Sequence, residues 1–291
     1  MSDYGALLDA LRGLRWPARR SVGAALPGAH RSRQRGTSGE FTEYRLYRQG
    51  DDPKQLDWKL LGRSDRAFVR LTDDRAIVAT WLILDGSASM AFPRADGVSV
   101  ATKWSVARAV AVGLGTVANA SSDPVGLLAV SADGTTRLAA RTRQGVIGEM
   151  ARTVDMLTCG GNAPLAPLLA MTPISSRIVI ISDLLGDLDA LLQTAAQRTA
   201  AGAIVECVHV VAAEEISPPT GVYLASDPEH ADVQRIMDKR GLVAYHAQFA
   251  EFRADAARRW RAAGAGYTEV RTDAPLPRLV RHVVSTPGAR L

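Results

Sequence analysis

The sequence predicts an α/β protein built on an open, mostly parallel sheet with helices on both faces. Several short runs of residues are continuously apolar, as strands buried on both faces are expected to be. Segments of helical length separate these runs, and such alternation indicates right-handed crossovers between parallel strands. Aromatic residues make up only 5% of the 291 residues. The core is therefore expected to consist mainly of Ala, Val, Leu and Ile.

The predicted elements follow one another along the chain. An amphipathic helix is predicted at 4–16 and a second at 52–61, with Asp52 as its N-cap and Pro53 at its first position. The predicted strands are 67–71, 76–84, 125–131, 136–140, 177–182, 204–211, 221–225, 233–237 and 267–271. The predicted helices between them are 101–120, 145–158, 163–171, 187–201, 241–263 and 275–284. This order predicts a basic N-terminal segment at 1–38, a motif segment at 39–74 that packs on the main domain, and the α/β domain at 75–291.

Positive charge is concentrated at the N-terminus. The net charge of the chain is +5, and residues 1–48 hold nine Arg against four acids, so 9 − 4 accounts for the whole excess. Such an arm could bind nucleic acid, an anionic membrane or an acidic partner. The alternative is a solvated tail. This alternative is favoured because no pattern of aromatic residues for base stacking accompanies the positive charge.

Cysteine content and hydropathy predict a cytoplasmic protein. Cys159 and Cys207 are the two cysteines, and their spacing excludes a disulfide scaffold or a zinc ribbon. The N-terminus lacks the long apolar core of a signal peptide. The longest uncharged run, 156–176, contains several Gly and Pro residues, so it is not expected to span a bilayer as a helix.

Oxygen-bearing side chains follow two of the predicted strands. Asp85, Ser87 and Ser89 come directly after 76–84, and Asp183 comes directly after 177–182. Ligands of open parallel sheets bind beyond the carboxyl ends of the strands. Carboxylate and hydroxyl oxygens suit Mg²⁺, or Mn²⁺ as its substitute, and disfavour zinc. Such an ion keeps open positions, which a carboxylate of another protein could fill. The alternative is that these residues only cap loops and helices.

The pattern D-x-S-x-S after the first buried strand resembles the metal-ion-dependent adhesion site of von Willebrand factor A domains. The resemblance implies that Asp85, Ser87 and Ser89 are metal ligands, directly or through water, and that Asp183 is the aspartate of the later central strand. Such domains usually place a threonine in a Gly-rich loop between them. Here Asn162 stands at that position, after Gly160 and Gly161. Its amide oxygen could replace the threonine hydroxyl, and a metal-free site is the alternative.

The segment 39–70 is similar to the domain-of-unknown-function 58 family, and the similarity extends over about 28–284. The matching residues are Glu40, Phe41, Arg45, Tyr47, Gly50, Asp51, Asp52, Asp57, Trp58, Arg63 and Arg70. The residues 224–229 and the helix after them also fit the family. Its members resemble von Willebrand factor A proteins that are encoded beside MoxR-type AAA+ ATPases. The resemblance implies an adaptor that works with such an ATPase in assembling or maturing protein complexes.

The same segment allows two roles. Its arginines and aspartates could form ion pairs that clamp it to the main domain, since Arg–carboxylate pairs are directional. Alternatively it is an epitope for a partner, because Arg, Tyr and Trp are frequent at binding hot spots. The residues concerned are Arg45, Tyr47, Asp51, Asp52, Asp57, Trp58, Arg63 and Arg70.

An enzyme is the less favoured class. A metal-dependent hydrolase needs a general base near the metal, and none can be nominated. The aspartyl phosphotransferases need an acid two residues after the first aspartate, where this chain has Ser87. His209 lies inside an apolar run and is predicted to be a hydrogen-bonded core residue. The function expected from the family resemblance is therefore that of a non-enzymatic adaptor, with a nucleic-acid or anionic-surface binder and a metal-dependent hydrolase as alternatives.

Overall fold

The computed structural model describes residues 4–16, 41–49, 56–64, 66–72, 77–93, 101–219, 221–226 and 234–286. The chain divides into two compact units, one of Ala18–Ile77 and one of Met1–Pro17 with Val78–Leu291. Both predicted domain boundaries, after residues 38 and 74, fall outside the described residues, so the predicted division stays a prediction.

The smaller unit contains an antiparallel strand pair and one short helix. Its elements are strand β1 (Phe41–Leu46), helix α2 (Trp58–Ser64) and strand β2 (Phe68–Thr72), with helix α1 (Gly5–Ala10) preceding them in the other unit. Strand β1 pairs antiparallel with β2, and Leu56 forms a further bridge with Val69. The predicted helix start at Asp52 lies outside the described residues, and within them the helix begins at Trp58 and does not include Leu56. Leu56 is extended, and Asp57 caps the helix by accepting the backbone N–H of Lys59 and Leu60 at 3.0 Å each.

The larger unit is built on a six-stranded sheet. The strands of this unit are β3 (Ala79–Leu84), β4 (Val125–Ser131), β5 (Gly134–Arg141), β6 (Ser176–Ser182), β7 (Ile204–Val211), β8 (Tyr223–Ser226), β9 (Gln234–Met237) and β10 (Gly266–Arg271). The order in the main sheet is β10-β7-β6-β3-β4-β5. All neighbours in it are parallel except β4 and β5, which form an antiparallel pair. Strands β8 and β9 form a separate antiparallel pair.

Helices cover both faces of this sheet. The remaining helices are α3 (Lys103–Ala120), α4 (Val146–Met156), α5 (Ala166–Ala170), α6 (Leu188–Ala200), α7 (Ala213–Ile216), α8 (Lys239–Ala262) and α9 (Leu276–Ser285). Alternate residues of β3 enter two cores. Leu82 and Leu84 pack with helices α1, α3, α4 and α9, whereas Trp81 and Ile83 pack with α5, α6 and α8. A sheet buried on both faces explains the continuous apolar runs, and the predicted fold class is confirmed.

Most predicted elements of the larger unit differ from the observed ones by a few residues at their ends. The predicted strands at 125–131 and 204–211 have the observed bounds. The N-terminal helix is shorter than predicted, because α1 ends at Ala10 and is followed by turns. Strand β1 and the short helix α7 were not predicted.

The N-terminal segment of the larger unit is anchored by a buried arginine. The guanidinium of Arg177 lies 4.3 Å from the centre of the Trp16 ring, and its Nη2 donates a hydrogen bond of 3.3 Å to the Trp16 carbonyl. Asp123 lies 3.7 Å from the same guanidinium. Glu206 is also buried nearby, and burial raises its pKa to about 7 although the charge of Arg177 opposes the shift. The contacts between Trp16 and Arg177 therefore hold the N-terminal segment 4–16 against the main sheet.

The strand order reverses between β3 and β6. From β3 the chain continues to β4 and β5 on one side, and from β6 it continues to β7 and β10 on the other. The loops that leave β3 and β6 therefore diverge to opposite faces of the sheet and open a crevice between them. The candidate site lies at this place.

Candidate metal centre

The tips of β3 and β6 bring the predicted acidic residues together. Leu84 pairs with Ile181 at the end of the two strands, and the backbone N–H of Asp85 donates to the carbonyl of Ile181 at 3.0 Å. Asp85 thus lies beside Ser182, the last residue of β6, and Asp183 follows Ser182 directly in the chain. Asp85 and Asp183 are both buried. They are close enough for the charge of Asp183 to act on the carboxyl group of Asp85.

The carboxylate of Asp85 is held by two hydrogen bonds. Its Oδ1 accepts the backbone N–H of Ser87 at 2.9 Å, and its Oδ2 accepts the hydroxyl of Ser182 at 2.6 Å. Burial raises the pKa of Asp85, the charge of Asp183 raises it further, and the bonds from Ser182 and Ser87 oppose the shift. The carboxyl group is therefore fixed in position, while among the residues that the structure describes no positive charge favours its ionised form. A cation bound beside it would supply that charge.

The hydroxyls of Ser87 and Ser89 lie next to each other in the same loop. Ser87 precedes a 3₁₀ turn at Ala88–Ala91, which turns both side chains to one side. Their Oγ atoms are 3.1 Å apart, and both residues are buried. Adjacent ligands of an octahedral Mg²⁺ ion, each about 2.1 Å from the metal, are separated by about 3.0 Å. The observed separation suits two neighbouring ligands of one such ion.

The Gly-rich loop of Gly160 and Gly161 is hydrogen-bonded to the loop that follows Asp85. The N–H of Gly160 donates to the carbonyl of Gly86 at 2.8 Å, and the N–H of Ala88 donates to the carbonyl of Gly161 at 3.1 Å. Asn162 is the exposed residue that follows this contact. The loop therefore carries Asn162 to the same end of the sheet, while its role as a metal ligand stays a prediction.

Two further residues define the chemistry of these loops. A Cβ atom on Gly86 would lie 2.3 Å from the carbonyl oxygen of Val130, so only glycine allows the observed approach of the loop to β4. Burial raises the pKa of the Cys159 thiol to about 12, and the charges of Asp85 and Asp183 contribute. The thiol is therefore neutral, and the candidate centre keeps the oxygen chemistry that the sequence predicts.

Asp183 forms an ion pair with the buried Lys103, a residue that the sequence did not indicate as part of the site. Its Oδ2 lies 2.7 Å from Nζ of Lys103, and the same nitrogen lies 2.7 Å from Oε1 of Glu215. Burial by itself lowers the pKa of Lys103, but the charges of Asp183 and Glu215 outweigh burial and raise it. The lysine is therefore charged despite its side chain being only 1% exposed.

The charges and donors of the site fit a divalent cation. The carboxylates of Asp85, Asp183 and Glu215 against the ammonium of Lys103 give a formal charge of −3 + 1 = −2. The two serine hydroxyls supply neutral oxygen ligands beside Asp85. Among the residues that the structure describes, no group of three or more His, Cys, Asp and Glu side chains is placed to hold a metal ion. A metal would thus depend on the hydroxyls, which suits Mg²⁺ or Mn²⁺.

Several residues of the site were missed by sequence reasoning. Ser182 could have been found, because it precedes Asp183 at the end of a predicted strand and its side chain faces the neighbouring strand tip. Lys103 and Glu215 had no such signal, since their pairing depends on the helices α3 and α7, which are distant in the chain. The predicted core role of His209 is correct. It is 1% exposed, its Nδ1 lies 2.6 Å from the Tyr267 hydroxyl, and burial lowers its pKa to about 4.

The motif segment belongs to the smaller unit and is described only in part. Asp51, Asp52 and the side chain of Arg70 lie outside the described residues. Asp57 caps helix α2, which gives this residue a local role besides any ion pair. Arg63 lies near the end of the same helix, and Arg45 donates to the carbonyl of Leu46. Tyr47 and Trp58 are 36% and 67% exposed. Their roles as a structural clamp or a partner epitope stay predictions.

Comparison with protein families assigns the chain. The model of the family described as protein of unknown function DUF58 matches residues 43–256. This chain belongs to the DUF58 family. The family prediction made from 39–70 and D-x-S-x-S is thereby confirmed.

Curated relatives of this DUF58 protein carry no functional description. The uncharacterized protein Rv1480 of Mycobacterium tuberculosis (strain ATCC 25618 / H37Rv) is 30% identical over 305 aligned positions, which cover 97% of this chain and 90% of the relative. The uncharacterized protein Mb1516 of Mycobacterium bovis matches over the same extent with the same identity. The match over nearly the whole length includes both units.

Solved structures with a related fold include von Willebrand factor A domains. The conserved hypothetical protein BatB from Bacteroides thetaiotaomicron is 13% identical with a TM-score of 0.42, and the match covers 72% of this chain and 100% of BatB. The SpRpn10 VWA domain is 14% identical with a TM-score of 0.41, covering 70% of this chain and 94% of that domain. Within the described part of the DUF58 protein, none of the helices has the length and apolar character needed to cross a membrane.

Proposed function

We propose that this DUF58 protein is a non-enzymatic adaptor that binds protein partners through a Mg²⁺-dependent adhesion-type site. The observation that carries the proposal is the arrangement of Asp85, Ser87 and Ser89 at the strand-order reversal, with two hydroxyl oxygens 3.1 Å apart beside a fixed carboxylate. Mg²⁺, or Mn²⁺ in its place, would be held by these residues, with Asp183 beside them and Asn162 on the facing loop. A fold of the von Willebrand factor A type suggests a role in protein interaction.

The protein groups prepare this site for an outside ligand. Ser182 and the backbone of Ser87 hold the Asp85 carboxylate in one orientation, so it does not have to reorganise. When bound, the ion supplies an electrophilic position that a carboxylate from a partner can occupy. Asn162 is exposed and lies on the loop next to Ala88, where a partner side chain would enter.

The proposed partner is a MoxR-type AAA+ ATPase, and the proposed process is the assembly or maturation of other protein complexes. This part of the proposal is supported by the family membership. It implies that the adaptor connects the ATPase to a client through the metal site or through the motif segment. Among the described side chains of that segment, Trp58 and Tyr47 are exposed aromatic residues.

Recovery of an AAA+ ATPase from native lysate tests the proposal. Tagged wild type, Asp85→Ala and Asp273→Ala are compared at the same Mg²⁺ concentration, because a chelator would also disable the ATPase itself. Asp273 is an exposed acid that pairs with Arg271 at the end of β10, two strands away from β6, and its variant is the control for loss of charge at the same edge of the sheet. We expect recovery by wild type and Asp273→Ala and loss with Asp85→Ala. Equal recovery by all three would contradict the metal site as the binding surface.

A further inference from the structure

Lys103 is a buried ammonium at the edge of the candidate metal centre. It is the first residue of α3, directly after Thr102, which caps the helix by accepting the N–H of Ser105 at 3.0 Å. Its backbone N–H donates to the carbonyl of Phe92 at 2.8 Å, and its Nζ lies 5.7 Å from the centre of the Phe92 ring. Both ends of the residue are therefore fixed, and the ammonium has little freedom to leave its position.

The ammonium connects two acids that follow different strands of the sheet. Asp183 comes from the tip of β6, and Glu215 comes from α7 after β7. Glu215 is itself held, because its second oxygen accepts the N–H of Ala212 at 2.8 Å. The pairing fixes Oδ2 of Asp183 on the nitrogen, and its Oδ1 accepts the N–H of Leu185 at 3.3 Å. Asp183 is thus already bound by protein donors through both oxygens.

A buried positive charge next to a metal site has two opposite effects. It repels the metal ion, and it attracts any anion that binds to the metal, because both interactions are weakly screened away from water. An acid that is paired with the ammonium also contributes less negative charge to the metal than an acid that binds it directly. The site would therefore bind its cation less tightly and retain more positive charge for an outside ligand.

We propose that Lys103 sets the specificity of the site for a carboxylate-bearing partner, by holding Asp183 in an ion pair instead of on the metal. The inference rests on the proposed function and names the chemistry of the partner group. Glu215 has the complementary role, since its charge offsets part of the charge of Lys103.

The two residues have opposite expected effects when they are replaced. Lys103→Met removes the ammonium and frees Asp183, so Mg²⁺ alone is expected to bind about tenfold more tightly and a carboxylate ligand about tenfold more weakly. Glu215→Gln leaves the ammonium with Asp183 as its one acidic partner among the described residues. Mg²⁺ is then expected to bind about tenfold more weakly and a carboxylate ligand more tightly. A lysine with only a structural role would lower both affinities when it is replaced.

Titration calorimetry of the full chain measures both affinities. The first probe is Mg²⁺ alone, and the second is a capped Gly-Glu-Gly peptide at saturating Mg²⁺, with capped Gly-Gln-Gly as its neutral control. Circular dichroism verifies the fold of each variant. If Lys103→Met does not fold, Glu215→Gln decides, because it keeps the buried lysine paired with Asp183.

The outcomes separate this inference from the proposed function. Opposite changes in the affinities for Mg²⁺ and for the glutamate peptide support the inference. If wild type binds Mg²⁺ but a variant changes both affinities in the same direction, the inference is overturned while the metal site stands. Equal binding of the Glu and Gln peptides by wild type also overturns it. If wild type binds no Mg²⁺, the proposed function and the inference both fail.

Discussion

Ser182 donates a hydrogen bond of 2.6 Å from its hydroxyl to Oδ2 of Asp85, which joins the tips of the two central strands. The oxygen of the same hydroxyl accepts the N–H of Leu184 at 2.9 Å. Leu184 has a φ of 61°, which is uncommon for a residue with a branched side chain. The loop after β6 therefore adopts a costly backbone conformation where it supports the carboxylate of the candidate site.

Ser182→Ala is expected to lower both stability and Mg²⁺ affinity. The change leaves Oδ2 of Asp85 and the N–H of Leu184 without their buried partner, which costs about 1–3 kcal/mol of unfolding free energy. Urea unfolding measures this cost. Ser285→Ala is the control, because the hydroxyl of Ser285 donates to the His282 carbonyl on an exposed helix end, and its loss is expected to change stability by less than about 0.5 kcal/mol. Equal effects of the two variants would contradict the role of Ser182.

Gly86→Ala is expected to abolish Mg²⁺ binding. An added Cβ would lie 2.3 Å from the Val130 carbonyl oxygen, so the loop that carries Ser87 would have to move. The matched control is Gly186→Ala in the loop after β6, where an added Cβ meets no atom within 4 Å. We expect the control to bind Mg²⁺ as wild type does, measured by calorimetry. Normal binding by Gly86→Ala would show that the position of this loop does not matter for the metal.

The sequence allowed the prediction of the sheet and of the strand-tip residues for one physical reason. Strands such as β3 and β6 are apolar on both faces. The end of each apolar run in the sequence therefore marks the end of the strand and the polar residues that follow it. Asp85, Ser87, Ser89 and Asp183 follow such ends directly.

The parts that were missed depend on contacts between distant segments. Lys103 opens a helix and has no local feature that distinguishes it from a solvent-exposed lysine, and only the fold places Asp183 and Glu215 around it. The helix predicted at 52–61 is wrong at Leu56, because the strand pairing of Leu56 with Val69 outweighs the local helix preference that the Asp-Pro pair indicates. Local propensity is weaker than tertiary pairing in such cases.

Glu206 is expected to make stability depend on pH. Burial raises its pKa from 4.5 to about 7 in the folded protein, so the folded state binds a proton more tightly than the unfolded chain between these values. Stability from this group is fully present below about pH 4.5 and is lost as the pH rises to about 7, by about 3 kcal/mol in total. Glu206→Gln should remove this part of the slope in urea unfolding from pH 4.5 to 8. An unchanged pH profile would contradict the assignment.

Trp16→Ala is expected to destabilise the larger unit by about 3 kcal/mol or more, because it removes a buried aromatic side chain and uncovers the Arg177 guanidinium. Trp58→Ala is the matched control, since Trp58 is 67% exposed whereas Trp16 is 4% exposed. Its expected effect on stability is within about 0.5 kcal/mol. Thermal unfolding compares the two variants. A similar small change for both would contradict the anchoring of the N-terminal segment by Trp16.

The central claim is that a divalent cation binds where β3 and β6 end. A crystal structure of the protein grown with Mn²⁺, with data collected to reveal the anomalous signal of manganese, tests it most directly. We expect one strong anomalous peak within about 2.1–2.3 Å of the Ser87 and Ser89 hydroxyl oxygens and beside Asp85. An absence of manganese at these oxygens in the presence of millimolar Mn²⁺, or a peak only at a different place, would contradict it.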